Sequence, residues 1–334
     1  MKRPLLSTEF DTWTGRMVRG LRRRRAAERL HLLTYHQVAP EPDLFTAGTG
    51  LRHSPGELER HLDYLLEYYR PMRLSDWLDA VARGETPRCA VVVTFDDGFA
   101  GVLRHAWPVL YRHRVPMTVF PVTGVIGNAD LLWTHKLAWL LSRGHRERVI
   151  DALRAEGFRL PAEDVDLESH VRQSYRPDLP AILETVLRST GHSGPRLAAA
   201  LRPYLEPEDL AEADPELVEF GNHTHTHPVL AALSRDQQRA EITAARDALA
   251  ALTGRPPAVL AYPFGLKRHY NADSRELARE TGHRAAVDMR RRINLAATDP
   301  FELSRRPVPH GPREEFEKMM EDWPANVGGP NIGW

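Results

Sequence analysis

Apolar residues recur along this chain in two alternating rhythms. Short, nearly continuous runs at Leu30–Tyr35, Ala90–Phe95, Met117–Val122, Val218–Gly221, Ala258–Tyr262 and Ala285–Asp288 have the length and β-branched content of strands covered on both faces. A last apolar segment sits near Pro307–Val308. Between these runs, Ser54–Tyr69, Val102–Arg112, Arg235–Leu252 and Ser274–Thr281 repeat apolar residues at helical spacing. Ser54 before Pro55 is the chemistry of a helix start. Strand-helix alternation predicts an α/β fold with parallel strands joined by right-handed crossovers. From about Ala129 to Ala213 the alternation stops, and LLWTHKLAWLL, RERVIDALRAEG and LPAILETVL follow one another with no convincing strand between them. The expected organisation is a basic N-terminal segment at 1–29, a barrel from 30–128 and 214–312, a helical insertion at 129–213, and an irregular Gly/Pro/Asn-rich tail at 313–334.

Composition narrows the classes of partner. With 45 Lys and Arg against 45 Asp and Glu, no whole-molecule field draws the chain to nucleic acid, which is therefore not an expected partner. A single cysteine, Cys89, excludes an intramolecular disulfide framework and fits a reducing compartment. The opening MKRPLLSTEFDTW holds no apolar stretch of signal-peptide length, and no run approaches a membrane span, so the expected location is cytoplasmic. The arginines of Arg16–Arg29 could bring the protein to the anionic surface of the inner membrane; a solvated basic helix or arm is the plainer reading. Nothing in the chain specifies an oligomeric state.

Two motifs carry chemistry. TFDDG (Thr94–Gly98) places adjacent acids at the C-terminal end of a buried strand, the face where (β/α) barrels assemble their sites. Two carboxylates buried together need a cation or a shared proton, although the segment alone would also suit a solvated turn capping a helix. GNHTHTHPVL (Gly221–Leu230) also starts where a strand ends. On a turn or a first helical coil His223 and His227 share a face while His225 points elsewhere, so they are the better ligand pair. Two imidazoles and one carboxylate leave open positions on a divalent ion, a catalytic arrangement suited to amide or ester hydrolysis. No phosphate-cradling loop of the P-loop type, and no G-x-G-x-x-G after a strand, competes with that reading.

These residues resemble the polysaccharide deacetylases of carbohydrate esterase family 4, the NodB homology domain, from about Leu32 to about Pro309. The resemblance implies a distorted (β/α)7-type barrel with a helical insertion, Asp96 as general base, and Asp97, His223 and His227 as ligands of zinc or of nickel, cobalt or iron. It also implies removal of N- or O-acetyl groups from sugars. AYPFG (Ala261–Gly265) is similar to the third family motif, with Ala261 where an arginine is expected and Phe264 where a tyrosine lends its backbone N–H to the oxyanion. Arg305 or Arg306 could replace that arginine with Asp288 as partner, against the plainer reading of a surface pair. For the general acid, LTYH (Leu33–His36) resembles circularly permuted exopolysaccharide deacetylases and favours His36; His310, near the usual fifth motif, is the alternative. Trp133 and His135 could wall the sugar or pack in the core.

The function expected from these residues is a metal-dependent hydrolase that removes N-acetyl groups from an N-acetylhexosamine-containing glycan or glycoconjugate. A deacylase of a small N-acyl metabolite or natural-product sugar keeps the chemistry and changes the substrate. A non-catalytic glycan-binding barrel is the reading of the other class.

Overall fold

The computed structural model describes residues 28–47, 49–160 and 166–321. The cluster Arg16–Arg29, apart from its last two positions, lies outside them. Eight strands build the frame: β1 (His31–Tyr35), β2 (Ala90–Asp97), β3 (Met117–Pro121), β4 (Val218–Phe220), β5 (Val259–Ala261), β6 (Ala285–Asp288), β7 (Leu303–Ser304) and β8 (Arg306–Pro307). One parallel sheet runs in the order β8-β1-β2-β3-β4 and a second in the order β5-β6-β7. The registers include Leu33↔Val93, Asp96↔Phe120, Thr118↔Glu219 and Ala261↔Val287.

The two sheets meet at both ends. At one seam Asn222, just past β4, bridges Leu260 in parallel, donating its N–H to Val259 at 2.8 Å and accepting from Ala261 at 2.8 Å. At the other, β7 and β8 are consecutive in the chain, and the residue between them, Arg305, donates its N–H to the Asp288 carbonyl at 2.7 Å. The strands therefore close into a distorted barrel in which β7 and β8 share one position, the α/β architecture that the alternation predicts.

Burial explains why the strands are apolar without alternation. Every residue of β2 is buried. Leu32, Val92, Phe120, Val259, Ala285, Val287 and Leu303 pack together as one cluster drawn from strands all around the ring. Leu33, Val91, Val93, Phe95 and Val119 join a second cluster with the surrounding helices. Gly221 is required where it stands, because a Cβ there would meet the Phe120 ring at 2.1 Å.

Outside the strands, α1 (Pro55–Tyr68) starts with a reciprocal cap, Ser54 Oγ accepting from Glu57 N–H while the Glu57 carboxylate accepts from Ser54 N–H at 2.7 Å. In the stretch that breaks the alternation, the described residues form α2 (Trp133–Ser142), α3 (Arg146–Ala155), α4 (Leu167–Gln173), α5 (Leu179–Ser189), α6 (Gly194–Leu201) and α7 (Pro207–Ala211), with no strand assigned among them. This helical stretch returns under the TFDDG loop. Leu205 N–H donates to Gly98 O at 2.9 Å, and Ala100 N–H donates to Pro203 O at 2.8 Å.

The expectation of an irregular tail from residue 313 is corrected at its start. Arg235–Thr253 forms helix α8, and Arg313–Glu321, near the C-terminal end of the described residues, forms α9, which buries Phe316, Met319 and Met320. The Phe316 ring stacks on His61 of α1 at 4.1 Å and meets Tyr64 edge-on at 5.8 Å. The Gly/Pro composition that suggested irregularity belongs to residues beyond 321, which lie outside the described ones. Replacing Phe316 by alanine should cost about 3–5 kcal/mol, as expected for a fully buried aromatic. Urea denaturation checks this; an unchanged midpoint would mean that α9 does not hold the C-terminal end against α1.

Candidate active site

The site begins where β2 stops. In an extended strand Asp96 and Asp97 would face opposite ways. Asp97 instead takes φ 68 and Gly98 φ 74, and this left-handed turn brings both carboxylates to His223. His223 Nε2 lies 3.8 Å from Asp96 Oδ2 and 3.7 Å from Asp97 Oδ1. Such backbone is costly for a non-glycine residue, and Thr224 (φ 65), His227 (φ 60) and Phe264 (φ 61) around the same site share it.

The histidine loop is shaped by side chains and forms no helical coil, one of the two local forms the spacing allowed. Asn222, buried, donates to Ile242 O at 2.9 Å and accepts from Thr224 N–H at 2.8 Å. Thr224 Oγ1 accepts from His227 N–H at 3.2 Å, and Glu241 of α8 accepts from the N–H groups of His225 and Thr226. The Trp133 indole donates to His227 O at 2.9 Å. His223 Nδ1 hydrogen-bonds the Ala261 carbonyl at 2.8 Å, which makes it the protonated nitrogen and leaves Nε2 with its lone pair in the site. His227 Nε2 is 3.5 Å from Asp97 Oδ1. One ligand atom from each of Asp97, His223 and His227 lies within 4.8 Å of the others, and all three residues are buried. His225 is turned away to Thr123 Oγ1 at 2.9 Å.

The two acids are compensated differently. Asp96 receives both guanidinium arms of Arg305, each at 2.6 Å, and Arg305 itself is 1% exposed. Burial pushes the Asp96 carboxyl up, but Arg305, aided by His223 and His36, outweighs it and holds the group at about 2. Asp97 has no such partner: burial, reinforced by the Asp96 charge, lifts it to about 8. Burial lowers His223 and His227, so both imidazoles are neutral. A neutral donor pair beside a carboxylate that cannot ionise alone is the donor set a divalent ion fits, because the ion supplies the missing positive charge.

Arg305 therefore stands in for the arginine absent at Ala261, and the surface-pair reading is overturned. The proposed partner is also corrected. Asp288 meets only the backbone N–H of Arg305, while its carboxylate takes Tyr270 at 2.8 Å, Ser304 at 2.5 Å and Arg290 at 2.6 Å. Arg306 points to Met319 O.

A cleft of about 1220 Å³ opens on these groups, lined also by His36, Trp133, His135 and Phe264. His36 is half-buried at the end of β1, and burial, only partly offset by Asp96, lowers it to about 4. His310 is not among the cleft-lining residues; it is exposed, stacked on His53 at 4.2 Å and hydrogen-bonded to Gly50 O at 2.6 Å. Trp133 and His135 are both buried in the core, as the packing reading expected, and both line the cleft. Phe264 places its ring 4.6 Å from that of His227. Tyr204, which holds Leu132 N–H at 3.0 Å and pairs with His135, and Glu241 carry no motif; nothing short of the folded contacts identifies them.

The fold and this arrangement define an α/β barrel with an acid-imidazole centre at the C-terminal ends of its strands. A family model described as polysaccharide deacetylase matches residues 83–286, more than half of the chain, and the chain belongs to that family. No curated protein matches it. Among solved structures it is similar to the Streptococcus pyogenes deacetylase PplD in complex with acetate, at 18% identity over 87% of this chain and 98% of that one, with a TM-score of 0.58. IcaB from Ammonifex degensii matches at 20% identity over 88% and 96%, with a TM-score of 0.54. A de-N-acetylase from Aggregatibacter actinomycetemcomitans matches at 16% identity over 83% and 94%, with a TM-score of 0.56. At these identities the likeness is one of fold.

Ion binding at the triad must displace the Asp97 proton below about pH 8. Calorimetric titration with Zn²⁺ should show affinity rising about tenfold per pH unit up to that point and levelling above it. The ion-free protein should show the opposite trend. A raised folded pKa contributes stability that is full below about pH 4 and lost as pH rises through about 8, so melting should occur at lower temperature at pH 8.5 than at pH 6. Affinity independent of pH would sink the assignment of Asp97 as a ligand.

Proposed function

We propose that the protein is a metal-dependent hydrolase that removes N-acetyl groups from N-acetylhexosamine units of a glycan or glycoconjugate. The observation that carries this reading is the juxtaposition, in one cleft, of a buried Asp97–His223–His227 triad with an ionised Asp96 clamped by Arg305. The cleft exceeds the roughly 300–1,000 Å³ of ordinary small-molecule pockets, which favours a saccharide over a small N-acyl metabolite. Family membership and the fold likeness to a de-N-acetylase support the same class.

A zinc-type ion on Asp97, His223 and His227 would polarise the amide carbonyl and acidify water. Asp96, kept ionised and oriented by the Arg305 fork, accepts a proton as water attacks the acetyl carbon. The Phe264 N–H, presented by its left-handed backbone, donates to the developing oxyanion. His36 is neutral at rest, so the proton it gives to the departing amine is one taken up during the cycle, and neighbouring Asp96 is its source. The C–N bond then breaks, leaving acetate and the free amino sugar.

Acetate release from N-acetylglucosamine oligosaccharides should disappear on chelation and return with Zn²⁺; release unaffected by metal removal rejects the proposal. Asp96→Asn should keep stoichiometric zinc while kcat falls by about 10²–10⁴. Arg305→Gln removes the group that depresses Asp96, so at saturating zinc the acid limb of the kcat/KM profile should move toward neutrality. An unmoved limb would show that Arg305 does not tune the base.

A further inference from the structure

The loops that follow β5 and β6 bring Lys267, Arg268 and Arg291 into the lining of the same cleft, and the proposed deacetylation uses none of them. Their neighbours are committed elsewhere. Arg290 is held by Asp288 at 2.6 Å and Glu302 at 3.2 Å, and Arg292 by Glu302 at 2.9 Å and Asp288 at 3.3 Å. These pairs anchor the 290–292 loop, while Arg291 between them takes φ 57. Among the described residues no ion pair is formed by Lys267, Arg268 or Arg291, whereas most other cleft cations have one. From α4, Arg172 adds a guanidinium 5.6 Å over the Phe264 ring, with its Nε buried and lacking a hydrogen-bond partner among the described residues. Asp166 and Glu168 are the acids that offset Arg172 electrostatically. Asp166 already caps α4 through Ser169 N–H.

Unpaired cations that line one cleft, with Arg268 close enough to Arg172 to depress its basicity, repel one another and concentrate anions there. We infer that the substrate carries a phosphate beside its N-acetyl sugar, received by Lys267, Arg268 and Arg291 with Arg172 alongside. This rests on the hydrolase reading above and names its substrate class, a phosphosugar conjugate. A lone carboxylate would be satisfied by a single guanidinium fork, whereas cations supplied by two loops match the several terminal oxygens of a phosphate or diphosphate.

Calorimetry on the 334-residue chain, with and without zinc, should show N-acetylglucosamine 1-phosphate binding about tenfold or more tighter than N-acetylglucosamine, with an advantage that shrinks as salt rises. A Lys267→Ala/Arg268→Ala/Arg291→Ala variant should lose that ratio; if it fails to melt cooperatively, Arg291→Gln alone should reduce the ratio. UDP-N-acetylglucosamine and a short-chain lipid diphosphate N-acetylglucosamine separate nucleotide from lipid as the source of the phosphate. Equal affinity for neutral and phosphorylated sugars, a preference retained in the variants, or equally tight binding of an N-acetylglucosamine–glucuronate disaccharide overturns the inference. Phosphate-dependent binding without acetate release leaves this site standing and rejects the hydrolase reading. Acetate release with no phosphate preference does the reverse.

Discussion

Two adjacent carboxylates buried at the end of one strand are the constraint around which this protein is organised. Side by side and out of water, Asp96 and Asp97 cannot both stay charged unless each finds its own positive charge. The fold separates them by giving only one a guanidinium. Arg305, from the interruption between β7 and β8, closes on Asp96 with two short hydrogen bonds and settles it as an anion. Asp97 is left to a proton or to an ion shared with His223 and His227. One clamp therefore yields two carboxylates with divergent acidities a single residue apart, the divergence that hydrolytic chemistry uses to assign base and ligand.

Holding that arrangement requires backbone that strands and helices do not supply. Asp97, Thr224, His227 and Phe264 are left-handed without being glycine. The TFDDG turn is braced from outside by the backbone of Pro203 and Leu205, and the histidine loop by Glu241 and the Trp133 indole, while buried Asn222 ties that loop to Ile242 from within. The helical stretch between β3 and β4 thus bears on both halves of the site and also lines the cleft with Trp133, His135 and Arg172. Strain of this kind persists only where the surroundings over-determine it.

How much could be read without coordinates differs from residue to residue. TFDDG and HTHTH announce themselves because buried adjacent acids and closely spaced imidazoles have few other uses, and His36 follows an apolar run that must be a strand. Phe264 was accessible through its place in the PFG turn. Arg305 was one of two candidates, and its buried pairing with Asp96 could not be told from a surface pair, since neither of the adjacent arginines Arg305 and Arg306 carries a mark of burial in the sequence. His310 was the alternative to His36, near the usual fifth-motif position, and its contacts with His53 and Gly50 hold it outside the cleft lining.

The sequence by itself determined the α/β class, the strands that end in chemistry and the acid-imidazole set, because covered strands must be apolar throughout and clustered titratable groups demand compensation. Tertiary structure alone decided which cation compensates which acid, that α9 completes the C-terminal packing, and that the helical stretch forms part of the cleft wall. The physical reason is distance along the chain. Arg305 and Asp96 are separated by 209 positions, so their pairing depends on closure of the barrel, a property of the whole ring that no local pattern encodes.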